Sequence, residues 1–129
     1  EESGLLTVPN VSYLGPVPYD EVAAFLQTLD VCLIPHLDTP YSKSMSPLKL
    51  YQYLASGRPI VSSNVAGLEK FKKYIHVAST YDDFVGHIDD VLANDTLELS
   101  SMRIGMASNE TWDKRVRDMF NAVSLHMNA

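Results

Sequence analysis

Short apolar runs alternate along this chain with segments in which apolar residues recur every three or four positions. Four runs predict β-strands, at 11–14, 31–35, 59–62 and 74–78. The run Val31-Cys32-Leu33-Ile34 is apolar throughout, which is typical of a strand covered on both faces of a parallel sheet. Strands that alternate with helices predict an α/β fold, here with a wound parallel sheet of about four strands.

Helical periodicity predicts the connecting elements. The helical segments are 19–29, 47–56, 81–93 and 97–127, the last interrupted near 105–109. Each carries an apolar stripe at spacings of three and four residues. The stripes are formed by Val22, Phe25, Leu26 and Leu29, by Leu50, Tyr51 and Leu54, by Phe84, Ile88, Val91 and Leu92, and by Trp112, Val116, Met119, Phe120 and Val123. Lys49 and Gln52 lie off the stripe of the second helix.

Composition narrows the class of protein. A chain of 129 residues with 46% apolar and 20% charged residues suits one globular domain of ordinary type. A net charge of −6 argues against nucleic acid as a partner. The lone Cys32 excludes an internal disulfide and is expected to be a small buried apolar residue. Without a signal peptide or a membrane-spanning run, we expect a cytoplasmic protein, with attachment to the inner face of the membrane left open.

The segment 44–61 carries the most specific local pattern. Ser46 suits the N-cap of a helix and Pro47 its first position, while Gly57 suits the left-handed residue that ends it. The first free amides of this helix, near Leu48 and Lys49, favour an anion in front of them.

Several segments together resemble one enzyme family, the retaining glycosyltransferases of group 1 or family 4, which have two Rossmann-like domains. Residues 44–61 resemble the family's donor-binding helix. The other similar segments are 10–22 ("NVxFLGxVxxxEL"), 30–35 ("aDvclvP"), 59–68 ("PVVsTdvgGl") and 109–113 ("ehtWe"). These matches follow the family's order and spacing over roughly residues 8–120. The resemblance implies transfer of a sugar, of hexosyltransferase type, from a nucleotide-sugar to a sugar or lipid-linked acceptor.

The resemblance also predicts which part of such an enzyme this is. Residues 1–129 are expected to form one partial domain, the donor-binding C-terminal domain, with a mostly helical end at 97–127. The chain would begin at the family's third strand, without two strand–helix units and without the acceptor-binding N-terminal domain. In the strand order 3-2-1-4-5-6 the missing strands lie between 11–14 and 31–35. We therefore expect an inactive fragment that binds a nucleoside diphosphate weakly or not detectably. We also expect either a homodimer or direct pairing of those two runs.

The donor-binding residues follow from the same resemblance. They are Val17, His36, Ser44, Met45, Ser46, Leu48, Lys49 and Gln52, with Lys43 as a further cation in the loop. The family's two glutamates fall at Ser44 and Gln52, so Gln52 offers an amide where a ribose normally meets a carboxylate. We expect neither a metal nor a cofactor, because helix amides and basic side chains neutralise the diphosphate.

Other interpretations stay open. Lys49 suits a solvated surface, Ser46 suits a cap alone, the turn around Val17 suits a purely structural role, and His36 suits a half-exposed strand end. A sugar-nucleotide epimerase of the same fold is a second enzymatic hypothesis, although the loops are poor in acidic residues. A non-catalytic binding or assembly module is a third, favoured by Ser44 and Gln52.

Overall fold

The structure, a computed structural model, describes residues 4–37, 39–44 and 48–127. Its centre is a parallel sheet of three strands in the order β1-β2-β3. The strands are β1 (Cys32–Ile34), β2 (Ile60–Ser63) and β3 (His76–Ala78). The helices are α1 (Val22–Leu26), α2 (Leu48–Ser56), α3 (Tyr81–Asn94), α4 (Leu97–Ser108) and α5 (Trp112–Met127), with 3-10 turns at Gly4–Thr7, Ser42–Ser44 and Glu69–Phe71. The α/β fold class predicted from the sequence is confirmed.

The strands of the sheet contribute residues to the hydrophobic core. Cys32 lies opposite Ile60, and Val61 lies opposite His76, so β2 is hydrogen-bonded on both sides. Ile60 and Val61 are fully buried, as expected for the central strand of a parallel sheet. The core around them contains Leu26, Ile34, Leu50, Leu54, Leu68, Phe71 and Ile75. The predictions for the second, third and fourth strands are therefore confirmed, within two residues at each end.

The first predicted strand, residues 11–14, is wrong. These residues form no strand, and Tyr13 and Leu14 are 75% and 68% exposed. A strand is stabilised by backbone hydrogen bonds to a neighbouring strand. Among the described residues, no strand pairs with this segment. Direct pairing of 11–14 with 31–35 is therefore wrong as well. Pairing between two copies of the chain stays a prediction.

The helix ends show why most of the helices were predictable. Gly57 follows α2 with a φ of +74°, the left-handed conformation expected there. Thr80 caps α3: its side chain accepts a hydrogen bond from the Asp83 amide, and the Asp83 carboxylate accepts one from the Thr80 amide. Ser46 and Pro47, expected to start α2, lie outside the described residues. α1 spans only five residues and its N-cap, Glu21, makes no side-chain cap, so the predicted 19–29 was too long.

The apolar stripes differ in how well they are covered. Leu50 and Leu54 of α2 and Val91 of α3 are buried, whereas Leu92 of α3 is exposed. α2 packs mainly against α4. The stripe of α5 lies open, since Trp112, Met119 and Phe120 are each at least 69% exposed. The sequence pattern therefore predicted that α5 is amphipathic but did not predict what covers its apolar side.

None of the helices in the described ranges combines the length and the apolar character needed to span a bilayer.

Candidate functional site

The N-terminal end of α2 lies at the carboxyl edge of the sheet, where ligands of open α/β sheets bind. The chain leaves β1, passes through the loop that follows Ile34, and returns in α2 toward the start of β2. The first turn of α2 contains Leu48 and Lys49, both exposed, and no acidic residue. The positive end of the α2 helix dipole and the Lys49 ammonium therefore offer positive charge to solvent.

Gln52 follows Lys49 by three residues and is exposed on the same side of α2. The rise of an α-helix separates the two by about 4.5 Å along the axis. Gln52 lines a groove of about 410 Å³ between α1 and α2, together with Tyr19, Asp20 and Gln27. This groove joins the second turn of α2 to the residues that follow the turn at Val17, which is half-buried.

Asp20 was missed by the sequence interpretation. It is an exposed carboxylate in the groove that contains Gln52. The signal in the sequence was its place just after Gly15-Pro16-Val17-Pro18, at the start of a predicted helix. Only the packing of α1 on α2 brings it into one groove with Gln52.

Ser42 holds together the loop that approaches α2. Its hydroxyl is buried and donates toward the carbonyl oxygens of Leu37 and Thr39, at 2.5 and 2.9 Å, while it accepts from the Thr39 amide at 3.0 Å. Ser44, one of the predicted donor-binding residues, is exposed, and its hydroxyl donates to the Tyr41 carbonyl oxygen at 2.8 Å. Ser42 is thus the structural residue of this loop and Ser44 is placed at its surface. Met45 and Ser46 lie outside the described residues.

His36 follows β1 and is fixed through its backbone by Ser63 of β2. The His36 amide donates to Ser63 Oγ at 2.9 Å, and this hydroxyl donates to the His36 carbonyl oxygen at 2.7 Å. The half-buried His36 lines a crevice of about 450 Å³. Lys49 and Gln52 are not among the residues that line this crevice.

The opposite side of α2 is anchored by an aromatic and ionic cluster that the sequence did not reveal. Tyr51 packs edge-on against Phe71, with ring centroids 5.5 Å apart, and the Arg115 guanidinium lies 4.9 Å from the Tyr51 ring. Glu110 accepts from Lys70 Nζ at 2.7 Å. Cation–π contacts and ion pairs of this kind hold the start of α5 against α2 and the 3-10 turn at Glu69–Phe71.

Two histidines that looked unrelated in the sequence meet between β3 and α3. The rings of His76 and His87 are 5.2 Å apart, and the Asp90 carboxylate lies 3.9 Å from His76 Nδ1. Burial, followed by the nearby His87, lowers the pKa of His76 below its usual value. Within residues 4–37, 39–44 and 48–127, no group of three or more His, Cys, Asp or Glu side chains is arranged to hold a metal ion.

Comparison with known proteins identifies a family and a relative. The family described as glycosyl transferase-like matches residues 2–121. The "Putative teichuronic acid biosynthesis glycosyltransferase TuaH" of Bacillus subtilis (strain 168) is 29% identical over 130 residues. That alignment covers 97% of this chain and 33% of the relative, so the chain spans about a third of the length of the relative it matches. No solved structure matches the chain.

Proposed function

Since this chain belongs to the glycosyl transferase-like family, we propose that it is the donor-binding part of a retaining glycosyltransferase. Its substrate would be a nucleotide-sugar, and its acceptor a growing polysaccharide or another glycoconjugate, free or lipid-linked. The curated relative is named for teichuronic acid biosynthesis, which supports a polymer as the product. Such an enzyme would need further sequence for its acceptor-binding domain, and we propose that residues 1–129 form only the nucleotide-sugar domain.

The observation that carries this proposal is the exposed Lys49 in the first turn of α2, at the carboxyl edge of the sheet. Helix amides together with the Lys49 ammonium suit a diphosphate, because both the helix dipole and the side chain present positive charge to it. No acidic residue in that turn competes for the amides. As the bond to the sugar breaks, the same groups would stabilise the negative charge that collects on the leaving diphosphate. This chemistry needs no metal and no cofactor.

The groove between α1 and α2 suits the nucleoside end of the donor. Gln52 lies one helical turn beyond Lys49, which is a suitable step from a phosphate to the adjacent ribose. The Gln52 amide oxygen accepts one hydroxyl, and the Asp20 carboxylate in the same groove accepts charge-assisted hydrogen bonds of about twice that strength. The backbone around Val17, just before the groove, would contact the base.

Titration of the protein with UDP and with GDP tests this assignment. Both nucleotides are used because the base is unknown, and binding is followed through backbone amide NMR shifts. We expect shifts at Leu48, Lys49 and Gln52. The dissociation constant should be weaker than micromolar, because residues 1–129 are proposed to supply only the nucleotide-sugar domain of the binding site. Lys49→Ala should weaken binding about ten- to a hundredfold, since a charge-assisted phosphate contact is worth roughly 1.5–3 kcal/mol.

Lys73→Ala is the matched control, because Lys73 is also exposed but follows the 3-10 turn at Glu69–Phe71 rather than α2. Both variants remove one positive charge, so a nonspecific electrostatic effect would weaken binding equally in both. An unchanged constant for Lys49→Ala would remove α2 from the donor site. Shifts confined to other regions would have the same consequence.

A binding module without catalysis is the second candidate. It is favoured by Ser44, which offers a hydroxyl at the position where the related family has a glutamate facing the donor sugar. A protein that binds UDP or GDP at α2 but neither transfers nor hydrolyses the sugar of UDP-glucose and GDP-mannose would support this alternative.

A further inference from the structure

Arg115, in the first turn of α5, contacts two aromatic rings that belong to different helices. Its guanidinium carbon lies 4.9 Å from the centroid of the Tyr51 ring of α2 and 5.5 Å from that of the Trp112 ring of α5. Among residues 112–125 and 127 of α5, Arg115 alone is not exposed. A planar guanidinium packs on aromatic faces in a way that a lysine ammonium does not. The Arg115 side chain therefore attaches α5 to α2 at Tyr51.

The carboxylate of Glu110 holds the two cations that contact Tyr51. Glu110 Oε2 accepts a hydrogen bond from Lys70 Nζ at 2.7 Å and lies 3.9 Å from Arg115 Nη2. The Lys70 ammonium lies 5.9 Å from the centroid of the Tyr51 ring. The side chain of Glu110 is only 15% exposed, so this shared carboxylate is less open to solvent than a typical surface ion pair. Its loss would release Lys70 and Arg115 from their common partner.

Tyr51 lies in the sequence between the two residues proposed to contact the nucleotide. Lys49 precedes it by two positions and Gln52 follows it directly on α2. The Tyr51 ring packs edge-on against Phe71, with centroids 5.5 Å apart. The carboxyl end of α2 is held elsewhere, through the Gly57 carbonyl oxygen. The contacts of Tyr51 therefore fix the part of α2 that carries the proposed donor site.

We infer that Arg115 is a positioning residue for the proposed donor site. Held by Glu110, it fixes α2 through Tyr51 and so sets the place of the Lys49 ammonium. The inference deepens the proposed function and rests on it. A residue with only a structural role would lower the free energy of unfolding without changing the affinity of the molecules that stay folded. A positioning residue changes that affinity, and it does so through Lys49.

A double-mutant cycle separates these two roles. UDP and GDP are titrated into the whole chain and followed by backbone amide NMR, under conditions in which urea denaturation shows every variant to be folded. Arg115→Met should weaken nucleotide binding about three- to tenfold. In a protein that already carries Lys49→Ala, the same substitution should have almost no effect, because the contact that Arg115 positions is gone. Independent effects would instead add.

Glu110→Gln distinguishes positioning from simple electrostatics. If only net charge mattered, removal of a carboxylate beside α2 would tighten the binding of an anionic nucleotide. Positioning predicts weaker binding, by about two- to fivefold, because Lys70 and Arg115 lose their shared partner. Glu98→Gln is the matched control, since Glu98 is exposed in the first turn of α4 and carries the same charge. It should leave binding unchanged.

Trp112 provides a spectroscopic readout, because it is the chain's only tryptophan and contacts Arg115. Nucleotide binding should change its fluorescence in the original protein and not in Arg115→Met. Tyr51→Phe keeps the ring and should retain both the binding and this response, whereas Tyr51→Ala should lose the response.

Two sets of results would contradict different claims. The inference alone is overturned if Arg115→Met and Lys49→Ala weaken binding independently, or if Glu110→Gln tightens it. The proposed function is contradicted, and the positioning role falls with it, if neither nucleotide shifts the amides of α2 in the original protein. The same conclusion follows if Lys49→Ala leaves binding unchanged.

Discussion

Arg103 Nε donates a hydrogen bond to the carbonyl oxygen of Gly57, 46 residues earlier in the chain, at 2.9 Å. Arg103 is only 3% exposed, and its Nη2 also donates to both carboxylate oxygens of Asp95, at 2.9 and 2.7 Å. One side chain of α4 thus ties the end of α2 to the end of α3. Because α2 carries the proposed donor site, this link also fixes the site relative to the sheet.

Replacement of Arg103 by Met should destabilise the protein strongly. It leaves the Gly57 carbonyl without its donor and Asp95 as a largely buried charge without its partner. The free energy of unfolding should therefore fall by roughly 3 kcal/mol or more. Urea denaturation measures it. Lys114→Met is the control, since it breaks the exposed ion pair of Lys114 with Asp118 and should cost at most about 1 kcal/mol. Equal losses in the two variants would contradict the structural role of Arg103.

Two glycines should respond in opposite directions to replacement by alanine. Gly57 has a φ of +74°, and a Cβ there would lie 2.5 Å from Ser100 Oγ and 3.0 Å from Ile104 Cδ1. Gly57→Ala should therefore cost at least about 1–2 kcal/mol. Gly86 lies inside α3 with open space around it, so Gly86→Ala should stabilise by roughly 0.5–1 kcal/mol. Thermal unfolding of both variants decides this, and a gain of stability for Gly57→Ala would refute the left-handed turn.

Cys32 should be unreactive in the folded protein. It is 1% exposed, and burial raises the pKa of its thiol to about 11. Near pH 8 only about one thiol in a thousand is then a thiolate, the form that reacts. Labelling with iodoacetamide should be slow in buffer and complete in guanidinium chloride, as mass spectrometry would show. Rapid labelling of the folded protein would mean that β1 opens readily.

His76 should make stability depend on pH. Burial and the neighbouring His87 lower its pKa, although Asp90 and Asp95 act in the opposite direction. Because the unfolded chain binds the proton more readily, the free energy of unfolding should be undiminished above about pH 7 and should fall as the pH drops from about 6.5 to the lowered pKa. Urea midpoints between pH 7.5 and 5 measure the effect. His76→Gln should flatten this part of the plot of stability against pH. If the plots for the original protein and the variant are parallel, His76 does not contribute to the pH dependence.

Two substitutions would move the carboxylate of the proposed nucleoside groove from Asp20 to position 52. Gln52→Glu should tighten binding of UDP or GDP, because a carboxylate accepts charge-assisted bonds from two ribose hydroxyls. Asp20→Asn should weaken it for the same reason. The double variant should bind about as the original does, since it restores one carboxylate to the groove. If Asp20→Asn changes nothing, the groove between α1 and α2 is not the nucleoside site.

The amino-acid sequence by itself determined the elements whose signals are local. The start of α3, the left-handed Gly57 and the apolar run of β1 depend on residues within a few positions of one another, so periodicity and turn chemistry predicted them. The same signals placed Lys49 and Gln52 on the exposed side of α2. The resemblance to a glycosyltransferase family also followed from short motifs in order, and the match to the glycosyl transferase-like family agrees with it.

Only the tertiary structure decided the features that join distant residues. Residues 11–14 have the apolar pattern of a strand but no neighbour for their backbone hydrogen bonds, and pairing is not a property of one segment. Helix packing places Asp20 and Gln52, 32 positions apart, in one groove, and it brings Arg103 into a hydrogen bond with Gly57, 46 positions earlier. The crevice beside His36 is bordered by residues that follow all three strands. Burial and pairing depend on the whole fold, and for that reason local patterns could not predict them.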